Sequence, residues 1–146
     1  MADRTDPYGQ FNFLVEIDKV TVAGFSEVSG LTTDTNIIEY REGNDTFGTV
    51  QKLPGLMKYN NLVFKNGITA DKARVLWNWR KKVIDGQTQR TTGAIILLDE
   101  SRAPALRWTF REGWPSKWEG PALNAKTSEV AIETLEITHE GLELAS

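Results

Sequence analysis

Apolar residues in this chain recur mostly at every second position, and a single stretch carries the roughly 3.6-residue period of a helix. That contrast confines the chain to a β-rich fold. Phe11, Phe13, Val15 and Ile17 alternate with Asn12, Leu14, Glu16 and Asp18, the pattern of a half-buried strand. Val20 and Val22 start a second short strand, and Gly24, Ser26, Ser29 and Gly30 break the pattern. Thr32 to Arg41 is β-branched and aromatic, with Ile37, Ile38 and Tyr40. Leu62 to Lys65 is a strand ended by Asn66-Gly67. Gly93 to Leu98 is continuously apolar, as a strand covered on both faces would be. Leu106, Trp108 and Phe110 alternate with Arg107, Thr109 and Arg111, and GWPSKWEGP (Gly113 to Pro121) reads as an aromatic-rich turn. Val130 and Ile132 occupy one phase, Leu135 and Ile137 the other, so a β-bulge is expected near Glu133-Thr134.

The helix is expected over Thr69 to Asp85. Thr69 can cap it, Asp71 suits its first turn, Lys81 and Lys82 its last, and Gly86 its stop. Ala73, Trp77 and Ile84 cluster on its apolar side, Leu76 and Val83 flank them, and Val75 and Trp79 extend the arc. The arc exceeds the roughly 100° stripe that one packing surface needs, which predicts a second contact surface. Glu42 to Gly55, with Gly43, Asn44, Asp45, Gly48 and Pro54, reads as a long exposed loop or hairpin tip. About seven or eight strands and one helix make a mainly β fold, an antiparallel two-sheet sandwich or barrel with an outer helix.

The chain has 146 residues, the size of one domain spanning 1–146. Its formal charge of −3 argues against generic nucleic-acid binding, which needs a basic surface. It has no cysteine and a single histidine, which excludes disulfides, thiol nucleophiles and multi-histidine metal sites. Its longest wholly apolar run, Ala94 to Leu98, is far short of the ~20 residues that span a bilayer. The start, MADRTDPYGQ, lacks an apolar signal core, so synthesis in the cytoplasm is expected, with export only as part of an assembly or by a route that reads no such signal.

Catalytic patterns are missing. There is no Gly-x-Ser-x-Gly, and Gly43 and Gly48 have phosphate-loop spacing without the lysine that such a loop requires. Glu133, Glu136, Glu140 and Glu143 contain enough carboxylates for a glycosidase pair, but a solvated strand face explains them more simply. His139 reads as structural, with no serine or threonine placed as its partner. Trp108, Trp114 and Trp118, three of five tryptophans, offer a sugar platform for a carbohydrate-binding β-sandwich; core and interface packing is the plainer reading. Charge is segregated along the chain. Arg74 to Arg90 holds five basic residues against Asp85, and Glu119 to the end holds six acidic residues against Lys126. Such segments suit pairing within the chain or between copies of it.

Several phrases occur in order: DPYGQFNFLVEI (6–17), GFSEVSGL (24–31), YREGND (40–45), KLPGLMKYNNLVFKNGIT (52–69), WTFREGWPSKWEGPALNA (108–125) and EVAIETLEITHEGL (129–142). Together they resemble the tail tube proteins of contractile phage tails and related extracellular contractile injection systems, across nearly the whole chain. Asn66 stands where the resemblance implies a basic residue. The family is similar in fold to the ring-forming protein of type VI secretion. The resemblance implies homohexameric rings that stack into a hollow tube inside a contractile sheath. The sheath drives that tube through a target envelope. Expected partners are the sheath protein, the baseplate or tube initiator, tube-terminating proteins, and DNA or protein cargo in the bore. No cofactor and no sequence-specific nucleic-acid contact is implied. On this reading Glu42, Asn44, Asp45, Lys52 and Lys58 are candidates for stacking between rings. Val75, Trp79 and Val83 are candidates for the helix face between subunits.

Overall fold

The computed structural model describes residues 6–17, 24–44, 46 and 48–145. The chain runs through β1 (Phe13–Ile17), β2 (Glu27–Ser29), β3 (Thr33–Tyr40), β4 (Gln51–Tyr59), β5 (Leu62–Gly67), α1 (Ala70–Ile84), β6 (Thr91–Leu98), β7 (Pro104–Glu119), β8 (Ile132–Thr138) and β9 (Gly141–Ala145). All strand pairs are antiparallel.

The long strand β7 organises the core. Its first half pairs with β6 and β9, placing Ile95 opposite Trp108 and Leu142 opposite Phe110. Its second half pairs with β8, placing Trp118 opposite Leu135. The change occurs at Arg111-Glu112, where the register with β6 slips and Glu112 adopts a φ of 54°. The chain turns the same corner between β8 and β9, and the Glu140 amide donates to the Arg111 carbonyl at 3.1 Å. The result is two layers, β1-β6-β7-β9 and β7-β8-β5-β2, that share β7. This is a sandwich joined along one corner. The barrel alternative is not realised: β1 and β2 end the sheet path without pairing with each other.

Side-chain alternation fills the interior. Leu62 and Phe64 of β5, Leu135 and Ile137 of β8, Ile95 and Phe110 are buried together with Leu76 and Trp79 of the helix. Each large side chain so placed contributes about 1.5–3 kcal/mol. Gly93 is required beside Phe110, because a Cβ there would lie 2.4 Å from the ring. Strand β6 is covered on both sides, as its apolar run predicts. Ile95 enters the main core, whereas Ala94, Ile96 and Leu98 form a second buried cluster. The helix matches its expected bounds. Thr69 caps it by accepting from the Lys72 amide at 3.4 Å, and Asp85 ends it.

Four expectations change. Residues 51–55 of the expected loop belong to β4, so the tip covers only 41–50. Pro54 is tolerated there because β4 lies in a two-stranded ribbon and the register shifts beside it. Residues 113–119 are strand rather than turn. The register shift between Pro115 and Lys117 accommodates the proline. There is no bulge at Glu133-Thr134, because β8 pairs with β5 in unbroken register and Glu133 points inward. Finally, β2 and β9 are strands that the pattern did not reveal. The expected strand at Val20 and Val22 lies outside the described residues.

Candidate assembly surfaces

The most exposed element is the β3–β4 ribbon. It is a sheet of its own, and its strands pack chiefly on each other. Every residue of β3 is exposed, as is β4 apart from Gly55 and Tyr59. Ile38 and Leu53 oppose each other on one face, Ile37 and Pro54 on the other. Ile37 is 66% exposed, Leu56 79% and Met57 68%. An isolated hairpin is marginal in water, and this one exposes apolar side chains on both faces among the described residues.

The stacking candidates sit on this ribbon or its tip. Glu42 and Asn44 are exposed on the tip, and Glu42 accepts from the Tyr40 hydroxyl at 3.3 Å. Asp45 lies outside the described residues. Lys52 faces Glu39 and Lys58 faces Asp34 across the ribbon, so each lysine has an acidic register partner. Such pairs contribute at most about 1 kcal/mol each. Sequence reasoning missed Leu56 and Met57. Their signal was two adjacent apolar residues inside a polar, Gly- and Pro-bearing stretch.

The helix candidates divide. Trp79 is 3% exposed and belongs to the chain's own core, with its indole N–H donating to the Gln89 carbonyl at 3.0 Å. Val83 is half-buried and Val75 exposed. The exposed apolar residues of the helix lie on its two flanks, Val75 on one and Trp77 with Ile84 on the other. Trp77 also meets Trp118 edge-on, with ring centroids 5.2 Å apart. The arc is wide because exposed apolar residues border the side facing the core on both edges.

A third surface is an apolar cleft of about 650 Å³. It is lined by Phe13, Val28, Leu31, Ile95, Leu97 and Trp108, between the edge strands β1 and β2. Among the described residues no ion pair joins the basic 74–90 segment to the acidic 119–145 segment.

The candidate chemical groups have structural settings. Glu133 is fully buried and accepts from Asn66 Nδ2 at 3.1 Å and Trp118 Nε1 at 3.2 Å. Glu136 accepts from Asn61 at 3.2 Å, and Glu140 and Glu143 are exposed. His139 is buried between two backbone carbonyls, Asn60 O at 3.0 Å from Nε2 and Gly141 O at 3.2 Å from Nδ1. The three tryptophans share no platform. Trp108 and Trp118 pack against the core, whereas Trp114 lies opposite Thr138. Among the described residues no acidic, histidine or cysteine cluster is arranged to hold a metal, and no helix is long and apolar enough to cross a membrane. Asp99 shapes the β6–β7 turn. Hydrogen bonds from the Ser101 side chain, then the Ala103 backbone amide, hold its carboxyl below the ordinary value, outweighing a small opposing effect of burial.

The described chain is thus a sandwich carrying an exposed apolar ribbon, exposed apolar residues on the helix and open sheet edges. Residues 9–143 match the model of the T4-like virus tail tube protein gp19 family, and the chain belongs to that family. No curated protein sequence matches the chain significantly. Among solved structures, a chain of the PVC extracellular contractile injection system, in its extended sheath–tube complex, superposes with a TM-score of 0.84 at 21% identity, covering 96% of this chain and 92% of that one. A chain of the six-fold symmetrised baseplate of the anti-feeding prophage gives 0.83 at 23% identity, covering 97% of each. Hcp1 from Flavobacterium johnsoniae gives 0.56 at 12% identity, covering 92% of this chain and 94% of that one. These likenesses show a shared fold.

Proposed function

We propose that this chain, as one domain over its whole length, is a subunit of the inner tube of a contractile tail or injection system. Hexameric rings of it stack into a rigid hollow tube. Sheath contraction drives the tube through a target envelope, and the bore conducts DNA or protein cargo. The chain transforms no molecule. Its partners are its own copies, the sheath protein, the baseplate or tube initiator, tube-terminating proteins and the cargo. It is made in the bacterial cytoplasm and reaches its target as part of the particle.

One observation carries this reading: the β3–β4 ribbon presents apolar residues on both faces, and among the described residues its strands pack chiefly on each other. In a tail tube family member, a second copy is the partner that fits. Rings arise when a head-to-tail contact has a closing rotation. Each copy then has neighbours beside, above and below, so modest contacts multiply along the polymer. Glu42, Asn44, Asp45, Lys52 and Lys58 are proposed for stacking between rings, with the ribbon's apolar residues as the main anchor. Between subunits, Val75 and Val83 are joined by Trp77 and Ile84 on the opposite flank of the helix, while Trp79 belongs to the chain's own core. Polar strand faces, such as the one bearing the 3.1 Å Glu16–Arg107 ion pair, suit a wetted wall along which cargo slides.

Negative-stain electron microscopy of the purified chain at high concentration, alone and with its sheath protein, tests the reading. Six-membered rings or hollow tubes are expected. A strictly monomeric species under both conditions would overturn it.

A further inference from the structure

We infer that Glu133 is a buried positioning residue: it fixes the Trp77–Trp118 pair and so shapes one flank of helix α1 for contact with a second copy. The contact with a second copy rests on the tube reading, whereas the positioning is a property of the single chain. The inward face of β8 carries Glu133, Leu135 and Ile137, all fully buried. Two of these are apolar, as a core face requires, and the third is an acid. Burying such a group is costly unless it is hydrogen-bonded. Its two oxygens divide between the strands on either side. Oε1 accepts from Asn66 Nδ2 of β5 at 3.1 Å, and Oε2 accepts from the Trp118 indole N–H of β7 at 3.2 Å. Asn66 stands directly opposite Glu133, whereas Trp118 stands opposite Leu135, the next inward residue of β8. The indole is therefore a diagonal neighbour of Glu133, a separation that long side chains bridge. An apolar residue at 133 would keep the core filled but leave the indole N–H without this acceptor.

The Trp118 ring is held at two further places. It lies over Gly120, where a Cβ would come within 3.2 Å of Cη2. Trp77 meets it at a centroid distance of 5.2 Å and an interplanar angle of 64°. An edge-on aromatic contact depends on orientation as well as distance. Turning the Trp118 ring, which the Glu133 hydrogen bond and the Gly120 contact both oppose, would therefore displace Trp77. Trp118 is half-buried and Trp77 is 41% exposed, so the series runs from a fully buried acid to an open helix surface. Ile84 lies about two helical turns further along the same flank and is also exposed. Aromatic anchors dominate binding energy at interfaces, and holding them in the bound orientation beforehand lowers the cost of association. Trp77 is such an anchor while Trp118 stays in place.

Two tryptophans in contact at a fixed angle give an exciton couplet in far-ultraviolet circular dichroism. Comparing the parent with W77F isolates this pair from the other tryptophans. The decisive variants are E133M, of similar length but without an acceptor, and E133Q. The parent should show a couplet that W77F loses. E133M should keep the strand signal, largely lose the couplet, and lose hydrogen-exchange protection at the Trp118 indole N–H. E133Q should retain both signatures, because its amide oxygen accepts from the indole while its amide nitrogen can donate to Asn66 Oδ1, a buried atom with no partner in the parent. If E133M does not fold, E133D, which withdraws the carboxyl from the indole, takes its place with the same expectation. A variant that is destabilised but keeps the couplet makes Glu133 merely structural and overturns the inference, as does a parent without a Trp77-dependent couplet. In sedimentation, the concentration at which E133M forms rings or stacks should rise about tenfold over the parent, with E133Q close to the parent. Loss of the couplet with assembly unchanged would overturn the role of this flank in the subunit contact. A parent that never assembles would count against the tube reading, and the couplet would still decide the positioning.

Discussion

Glu133 shows how one inward side chain can disguise a strand. A fully buried acid satisfied by Asn66 and Trp118 sits at the position where alternation calls for an apolar residue. Reading it as solvent-facing forces a phase slip onto β8 that the structure does not contain. The acid was legible as a residue but not its burial, because its donors come from β5 and β7, distant in sequence. Replacing Glu133 by alanine removes the acceptor of the Trp118 indole N–H and of one Asn66 amide hydrogen bond and should cost about 2–4 kcal/mol in a denaturant unfolding experiment, with Glu133→Gln costing less. Asp99 supplies the residue-scale pH effect. Its turn hydrogen bonds lower its carboxyl from the ordinary 3.8. The folded state therefore binds this proton less readily than the unfolded chain. The resulting stability is present above about pH 4 and is lost as pH falls through the lower folded value. Asp99→Asn should flatten that acid-side slope in unfolding measured from about pH 2 to pH 5.

Among the elements, the helix and the core strands were the most readable, since their stability comes from residues near in sequence or from clean alternation. Thr69, Asp71, Lys81 and Lys82 mark the helix ends, and the structure places all four as expected. The burial of Trp79 and the exposure of Trp77 were not readable, because the helix packs chiefly on β7, whose residues are distant in sequence. Strand β4 was hidden for a different physical reason. Its apolar residues cover no layer of this chain, so Leu53, Leu56 and Met57 follow no single buried face. Placing charges on the ribbon separates folding from assembly. The double variant Ile37→Asp, Met57→Asp should unfold within about 1 kcal/mol of the parent, since both side chains are already solvated. The same variant should abolish rings or stacks in sedimentation and electron microscopy. Retained tubes would remove the ribbon from the assembly interface.

At the scale of the molecule, composition and alternation led to a β sandwich with an attached helix, and the ordered phrases led to the tail tube family that residues 9–143 match. What lay beyond reach was the corner in β7, which turns two sheets into one continuous path. A positive φ at Glu112 and a register slip create it, and neither leaves a mark in hydropathy. The open edges at β1 and β2 and the exposed apolar ribbon support the proposal that copies of the chain complete one another. A high-resolution cryo-electron microscopy map of the native particle tests that claim most directly. The account predicts six copies per ring lining the central channel, with each β3–β4 ribbon buried against a neighbouring copy. A map that places the chain away from the channel wall, or leaves the ribbon in solvent, would contradict it.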